Sequence, residues 1–207
     1  MDKYITEFIG TFFLVLTVAL TGNPLAIGAV LMVMIFMGGK ISGGHFNPAV
    51  TLGVLIRGKI NMKDSVMYWV FQFIGAFVAA LMALWFTGKS FAAAPAPGVD
   101  FAKACVAEFL FTFALVSVVL NVATTKKHAD NSYYGLAIGF TVMAGAFAVG
   151  PISGGAFNPA VATSPIILDT IRGGNSISNL PMYLVGTILG GVVAGLIFRV
   201  MNPDEIE

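Results

Sequence analysis

The stretch "ISGGHFNPAVT" runs from Ile41 to Thr51, and "ISGGAFNPAVA" runs from Ile152 to Ala162. Nine of their first ten positions are identical. Each copy stands beside a long apolar run, yet each holds two glycines, an asparagine and a proline, a composition that breaks a membrane helix. In each copy Asn47 or Asn158 suits a helix N-cap, and Pro48 or Pro159 then takes the first helical position, where a missing N–H costs nothing. The apolar stretches that follow, Pro48 to Ile56 and Pro159 to Leu168, are too short to cross a bilayer. At 1.5 Å per residue they give helices of about 14 and 15 Å. The doubled phrase therefore predicts two re-entrant half-helices.

The rest of the chain supplies the membrane that such half-helices require. Of the 207 residues 57% are hydrophobic and 10% charged, and the mean hydropathy is +0.90. A soluble domain carries roughly 25% charged residues, so an all-α integral membrane protein is the expected class. A bilayer core about 30 Å thick needs about 20 apolar residues per helix. Six spans meet or approach that length: Tyr4 to Leu20, Leu25 to Gly38, Tyr68 to Phe86, Phe101 to Thr124, Gly135 to Val149 and Met182 to Val200. The second and fifth are short and must borrow flanking residues. The connectors are brief, among them "TGNP" at Thr21, "TKKHADNS" at Thr125 and the Ala/Pro-rich "AAAPAPG" at Ala92. Asp2, Lys3 and Glu7 make the first run unlike a removable leader.

A wider repeat surrounds the phrase. "EFIGTFFLV" from Glu7 resembles "EFLFTFALV" from Glu108, each at the head of the first span of a half. The chain reads as one unit, 1–207, built as a duplication over roughly 1–86 and 100–207. Three spans per half is an odd number, so the second half enters from the opposite face: a three-plus-three inverted repeat. The half-helices then meet near the midplane with their N-termini. Non-helical backbone at that depth is tolerated where it is buried in protein or lines a water-filled path. Two helix N-termini present partial positive charge there, and the carboxamides of Asn47 and Asn158 can aim N–H donors into the path while their oxygens cap their own helices. Such a site suits the oxygen of a neutral solute and opposes cations.

The doubled N-P-A box, the glutamate heading spans one and four, and the three-plus-three arrangement resemble the aquaporin, or major intrinsic protein, family over essentially the whole chain. That resemblance implies a passive channel for water and small uncharged solutes such as glycerol, urea, ammonia or hydrogen peroxide, usually a homotetramer with a pore in each subunit. It places Asn47, Pro48, Ala49, Asn158, Pro159 and Ala160 at the midplane constriction, and has Glu7 and Glu108 accept hydrogen bonds from the re-entrant loops. Family members usually read "NPAR" in the second box. Here Val161 stands in place of the arginine, and the other outer-filter positions fall on Ile27, Ala146 and Gly155. The histidine of water-selective members is absent at Ala146, and the aspartate of glycerol-conducting members is absent at Ala162. The implied filter is small-sided, apolar and free of fixed charge, unless Thr163 or a loop carbonyl takes the vacancy.

The remaining features set the boundaries of this reading. A net charge of +1 gives no basic stripe for nucleic acid. Cys105, the single cysteine, reads as a small packed side chain. His45 reads as a residue of the pore-mouth loop. Gly186, Gly190, Gly191 and Gly195 read as intramolecular packing on span six. Two histidines, one cysteine and no acidic cluster leave no enzyme site and no cofactor or metal to expect. With both termini cytoplasmic, Lys3, Lys40, Arg57, Lys59, Lys63, Lys126, Lys127 and Arg199 lie inside against Lys89, Lys103 and Arg172 outside, eight to three, as expected for a plasma-membrane protein obeying the positive-inside rule. The alternative is a secondary transporter of a small solute, since such proteins also use inverted repeats with broken helices.

Overall fold

A computed structural model describes residues 1–206. Among them are eight α-helices and no strand: α1 (Asp2–Thr21), α2 (Pro24–Ser42), α3 (Pro48–Arg57), α4 (Met62–Thr87), α5 (Phe101–Thr124), α6 (Tyr134–Ser153), α7 (Pro159–Ile171) and α8 (Leu180–Met201). Six are long and apolar enough to span a bilayer, and α3 and α7 are the two shorter helices expected from the doubled phrase. Asn-Pro opens three helices. Asn23, Asn47 and Asn158 each accept backbone N–H bonds through Oδ1, with Pro24, Pro48 and Pro159 at the first helical position.

The two short spans borrow flanking residues, as the sequence required, and run past glycine and proline to do so. α2 runs on through Gly38 and Gly39 to Ser42, reaching 19 residues. α6 runs through Gly150 and Pro151 to Ser153, reaching 20 residues. Each stops where a left-handed residue is required, at Gly43 (φ 90°) and Gly154 (φ 92°). Pro151 tolerates its place because it falls in the last turn, where its missing N–H withdraws one bond from the Phe147 carbonyl. α3 and α7 are also longer than expected, at 10 and 13 residues, because Arg57 and the Asp169–Ile171 turn remain helical.

Small residues set the interhelical distances. A Cβ added at Gly186 or Gly190 would sit 2.7 or 2.8 Å from the Cys105 or Phe109 carbonyl oxygen of α5. One added at Gly191 or Gly195 would press on Ala49 or Ile56 of α3. The α8 glycines are thus intramolecular packing, letting α5 and α3 approach on two sides. Their placement fixes α3 inside the bundle with its N-terminus at mid-depth.

The end that carries both termini is tied by polar contacts. Lys3 pairs with Asp64 at 2.8 Å, joining α1 to the start of α4. Past α8, Glu205 accepts the Lys126 backbone N–H at 3.1 Å and lies 3.6 Å from the Arg57 guanidinium, with both side chains almost wholly buried. The Lys126 N–H holds the Glu205 carboxyl below its ordinary range. A depressed carboxyl contributes stability above its unfolded pKa and loses it as pH falls through the folded value. Wild-type protein in detergent should therefore melt at lower temperature as pH drops below the carboxylate range, and Glu205→Gln should flatten that dependence. Equal pH slopes for the two would rule the contact out as their source.

Candidate functional site

The repeated phrase folds twice into the same hydrogen-bonded loop. In the first half Glu7, wholly buried, accepts the Ser42 hydroxyl at 2.7 Å, the His45 N–H at 3.0 Å, the Phe46 N–H at 2.6 Å and the Gln72 amide at 2.8 Å. In the second half Glu108 accepts the Ser153 hydroxyl at 2.7 Å, the Ala156 N–H at 3.0 Å and the Phe157 N–H at 2.7 Å. Both glutamates thus bond the backbone of the re-entrant loops, the arrangement that the family resemblance implied. Each carboxylate satisfies buried loop N–H groups that lie outside any helix.

Several partners were not anticipated. Phe46 and Phe157 adopt left-handed backbone, φ 48° and 49°, which is strained for a residue with a side chain. Their N–H groups are held by the glutamates, and their carbonyls accept the opposite asparagine: Asn47 Nδ2 donates to Phe157 O and Asn158 Nδ2 to Phe46 O, each at 2.9 Å. The two half-helices are thereby cross-linked at their tips. One hydrogen of each carboxamide is spent on this bond, while Oδ1 caps its own helix at Ala49 N (2.8 Å) and Ala160 N (2.9 Å). Tyr68 and Tyr183 donate to the Ser42 and Ser153 carbonyls from the third span of each half. The sequence signal for them is faint: a tyrosine near the head of spans three and six.

Beside these tips runs an hourglass. On the side of the termini a vestibule of about 550 Å³ is lined by Ser42, His45, Lys59, Asp64 and Tyr68 among others. A neck of about 30 Å³ follows, bordered by Asn47, Asn158, Val50, Leu115, Ile138 and Val142. That is room for one or two water molecules. A second vestibule of about 500 Å³ opens on the opposite side. His45 and Val119 border both the first vestibule and the neck, while Val18, Ile27, Gly155, Ala156 and Val161 border both the neck and the second vestibule. The three spaces therefore lie in sequence, sharing lining residues at each junction.

Sequence-derived positions fall along this path as follows. Asn47 and Asn158 border the neck, whereas Pro48, Ala49, Pro159 and Ala160 lie behind them, buried in the first turns of α3 and α7. Ile27, Ala146, Gly155 and Val161 converge on the second vestibule. Thr163 borders neither that vestibule nor the neck. His45 stands at the end of the neck nearest the termini, with Nδ1 3.0 Å from the Thr51 hydroxyl. The two ends differ in chemistry. The vestibule near the termini carries Lys3, Lys59 and Asp64, while no charged side chain among the described residues lines the opposite one.

Two half-helices bonded at their tips beside a narrow neck, within six apolar spans, fit the arrangement that the doubled phrase implied, and the family model for major intrinsic protein matches residues 1–198. The chain belongs to the major intrinsic protein family. It is 34% identical to "Glycerol uptake facilitator protein-like 6" of Lactiplantibacillus plantarum, with 99% of this chain and 100% of that protein covered. It is 35% identical to "Probable aquaporin TIP2-2" of Oryza sativa subsp. japonica, with 96% of this chain and 86% of that protein covered. In fold it is similar to the crystal structure of the aquaglyceroporin from Plasmodium falciparum, with a TM-score of 0.86 at 23% identity, covering 99% of this chain and 98% of that one. As a major intrinsic protein it is an integral, multi-pass membrane channel for water or small neutral solutes, and not an enzyme.

Proposed function

We propose that the neck is the conduction path, that Asn47 and Asn158 present its central donors, and that Ile27, Ala146, Gly155 and Val161 form an outer filter without arginine that passes glycerol, urea, ammonia or hydrogen peroxide alongside water. One observation carries this reading. The four positions meet in a vestibule lined, among the described residues, by no charged side chain, with Val161 only 5% exposed and bordering the neck. An arginine there would narrow the passage and supply a guanidinium. A valine leaves a small-sided apolar wall, against which the carbon chain of a polyol can lie while its hydroxyls meet the spare asparagine hydrogens and loop carbonyls.

Pro48, Ala49, Pro159 and Ala160 act in this scheme by starting the half-helices, and Glu7 and Glu108 by holding the loops. The helix N-termini at mid-depth oppose cations through their partial positive charge. The termini are cytoplasmic in the plasma membrane, because the Lys/Arg excess of eight to three lies at the ends that share their side. The exposed apolar faces meet lipid and neighbouring subunits of a homotetramer.

Stopped-flow light scattering on proteoliposomes, with a panel of osmolytes, tests the assignment. Glycerol and urea should enter well above the rate of protein-free vesicles. In the Asn47→Ala/Asn158→Ala double variant each half-helix loses a cap worth about 0.5–2 kcal/mol and the cross-bond to the opposite loop, so solute flux should fall in whatever protein folds. Protein that moved water but none of the solutes would refute the open filter, and full solute flux in the double variant would refute the asparagines' role.

A further inference from the structure

The "AAAPAPG" connector between α4 and α5 is more than a link. Ser90 Oγ donates to Asp169 Oδ1 of α7 at 2.8 Å, and the Ala96 N–H donates to the Ile152 carbonyl of α6 at 3.0 Å. Between these two anchors Phe91, Ala92, Ala93 and Ala94 line the outer vestibule together with Val161 and Gly155. Phe91, Ala92 and Ala93 pack on the core from above it. The segment lies so close to the second re-entrant loop that a Cβ on Gly154 would sit 2.8 Å from the Ala94 carbonyl oxygen. Pro95 and Pro97 bias Ala94 and Ala96 to extended backbone, so the strap cannot coil away from the mouth.

Asp169 is the fixed point. Its other oxygen, Oδ2, accepts the Ser176 hydroxyl at 2.6 Å, from the turn that leads into α8. Gly174 packs against the carboxylate so closely that a Cβ there would fall 2.1 Å from Oδ2. One carboxylate thus ties the end of α7, the connection to α8 and the strap.

We propose that the Phe91–Ala94 strap is a further wall of the outer constriction and that Asp169, through Ser90, is the positioning residue that holds it there and so sets the largest solute admitted. This rests on the reading of the outer vestibule as the selective region. Without a filter arginine to span the mouth, the passage is bounded on this side by small strap side chains and backbone, and its width depends on how firmly the strap is held.

Two readouts test it. The first is the flux ratio of erythritol to glycerol in proteoliposomes. It should rise about fivefold in Ser90→Ala and in Asp169→Ala, the population change that one hydrogen bond of ordinary strength supplies. Asp169→Asn, which keeps an acceptor, should restore the wild-type ratio. A variant that merely misfolded would lose both fluxes together. The second is independent of conduction: in a Cys105→Ser background, a thiol introduced by Val161→Cys beneath the strap should react about fivefold faster with a bulky maleimide when Ser90→Ala is added. An unchanged labelling rate overturns the proposal, as does faster labelling with an unchanged flux ratio. Wild-type protein that passed no glycerol would instead defeat the open-filter reading, and the labelling would still decide whether Ser90 and Asp169 hold the strap.

Discussion

Glu7→Ala is expected to yield little folded protein, and Glu108→Ala somewhat more. Removing the Glu7 carboxylate takes the acceptor from the Ser42 hydroxyl and two buried loop N–H groups, and leaves the Gln72 amide only its 3.1 Å bond to the Thr51 hydroxyl. Each buried donor left without an acceptor costs about 1–3 kcal/mol, and the left-handed Phe46 adds strain of about 1–3 kcal/mol that the lost bonds no longer hold in place. Together these rival the whole stability of a typical domain, about 5–15 kcal/mol. Glu108 serves three donors, none of them a side-chain amide, because the place in α8 that corresponds to Gln72 is taken by Thr187, whose hydroxyl bonds the Tyr183 carbonyl instead. Glu7→Gln keeps an acceptor oxygen but turns an amide toward loop donors, and should fall between alanine and wild type. The monodisperse fraction on size-exclusion chromatography reads the order. Equal, wild-type yields for both alanine variants would show that the loops hold themselves.

Val161→Arg should cut glycerol flux on the order of tenfold, equivalent to about 1.4 kcal/mol of added barrier, while reducing water flux much less. The guanidinium would reach across a mouth now walled by Ile27, Ala146 and Gly155, narrowing it and adding donors that a water molecule can use in passing. A charge at this depth costs about 2.5–3.5 kcal/mol on insertion scales. One feature reduces the penalty: the strap, Phe91 to Ala94, lies along the same vestibule and brings backbone carbonyls near it. Val161→Ala, which folds without that cost, should leave or raise glycerol flux. Water and glycerol falling by one common factor in folded Val161→Arg protein would mean that this side chain does not choose between them.

What the sequence exposed and what it concealed divide along physical lines. Hydropathy located all six spans, and Asn-Pro located both half-helices, because burial in lipid and helix capping are local demands that single residues announce. The ends of α2 and α6 were harder to place. Gly38, Gly39, Gly150 and Pro151 look like helix breakers, but Gly38 is needed where Phe46 and Thr6 pack against it, and Pro151 loses only one bond in a final turn. The repeat of Ser42 in Ser153 and of Phe46 in Phe157 was visible as identity, yet their roles were not. A left-handed phenylalanine and a bond from Asn47 to the opposite loop are tertiary arrangements between residues more than a hundred positions apart, with no periodicity to betray them. The strap was the least legible element. Its alanines and prolines carry no functional chemistry of their own, and two distant partners, Asp169 and the Ile152 carbonyl, give them a place.

The most direct test is the concentration dependence of glycerol influx into proteoliposomes, measured with the membrane current recorded under the same gradient. A neutral-solute channel predicts influx that rises linearly with glycerol concentration, is indifferent to sodium and proton gradients, and carries no current. Influx that saturated and collapsed when an ion gradient was dissipated would contradict it in favour of a coupled transporter, and a current following the solute would contradict the exclusion of ions at the crossed helix tips.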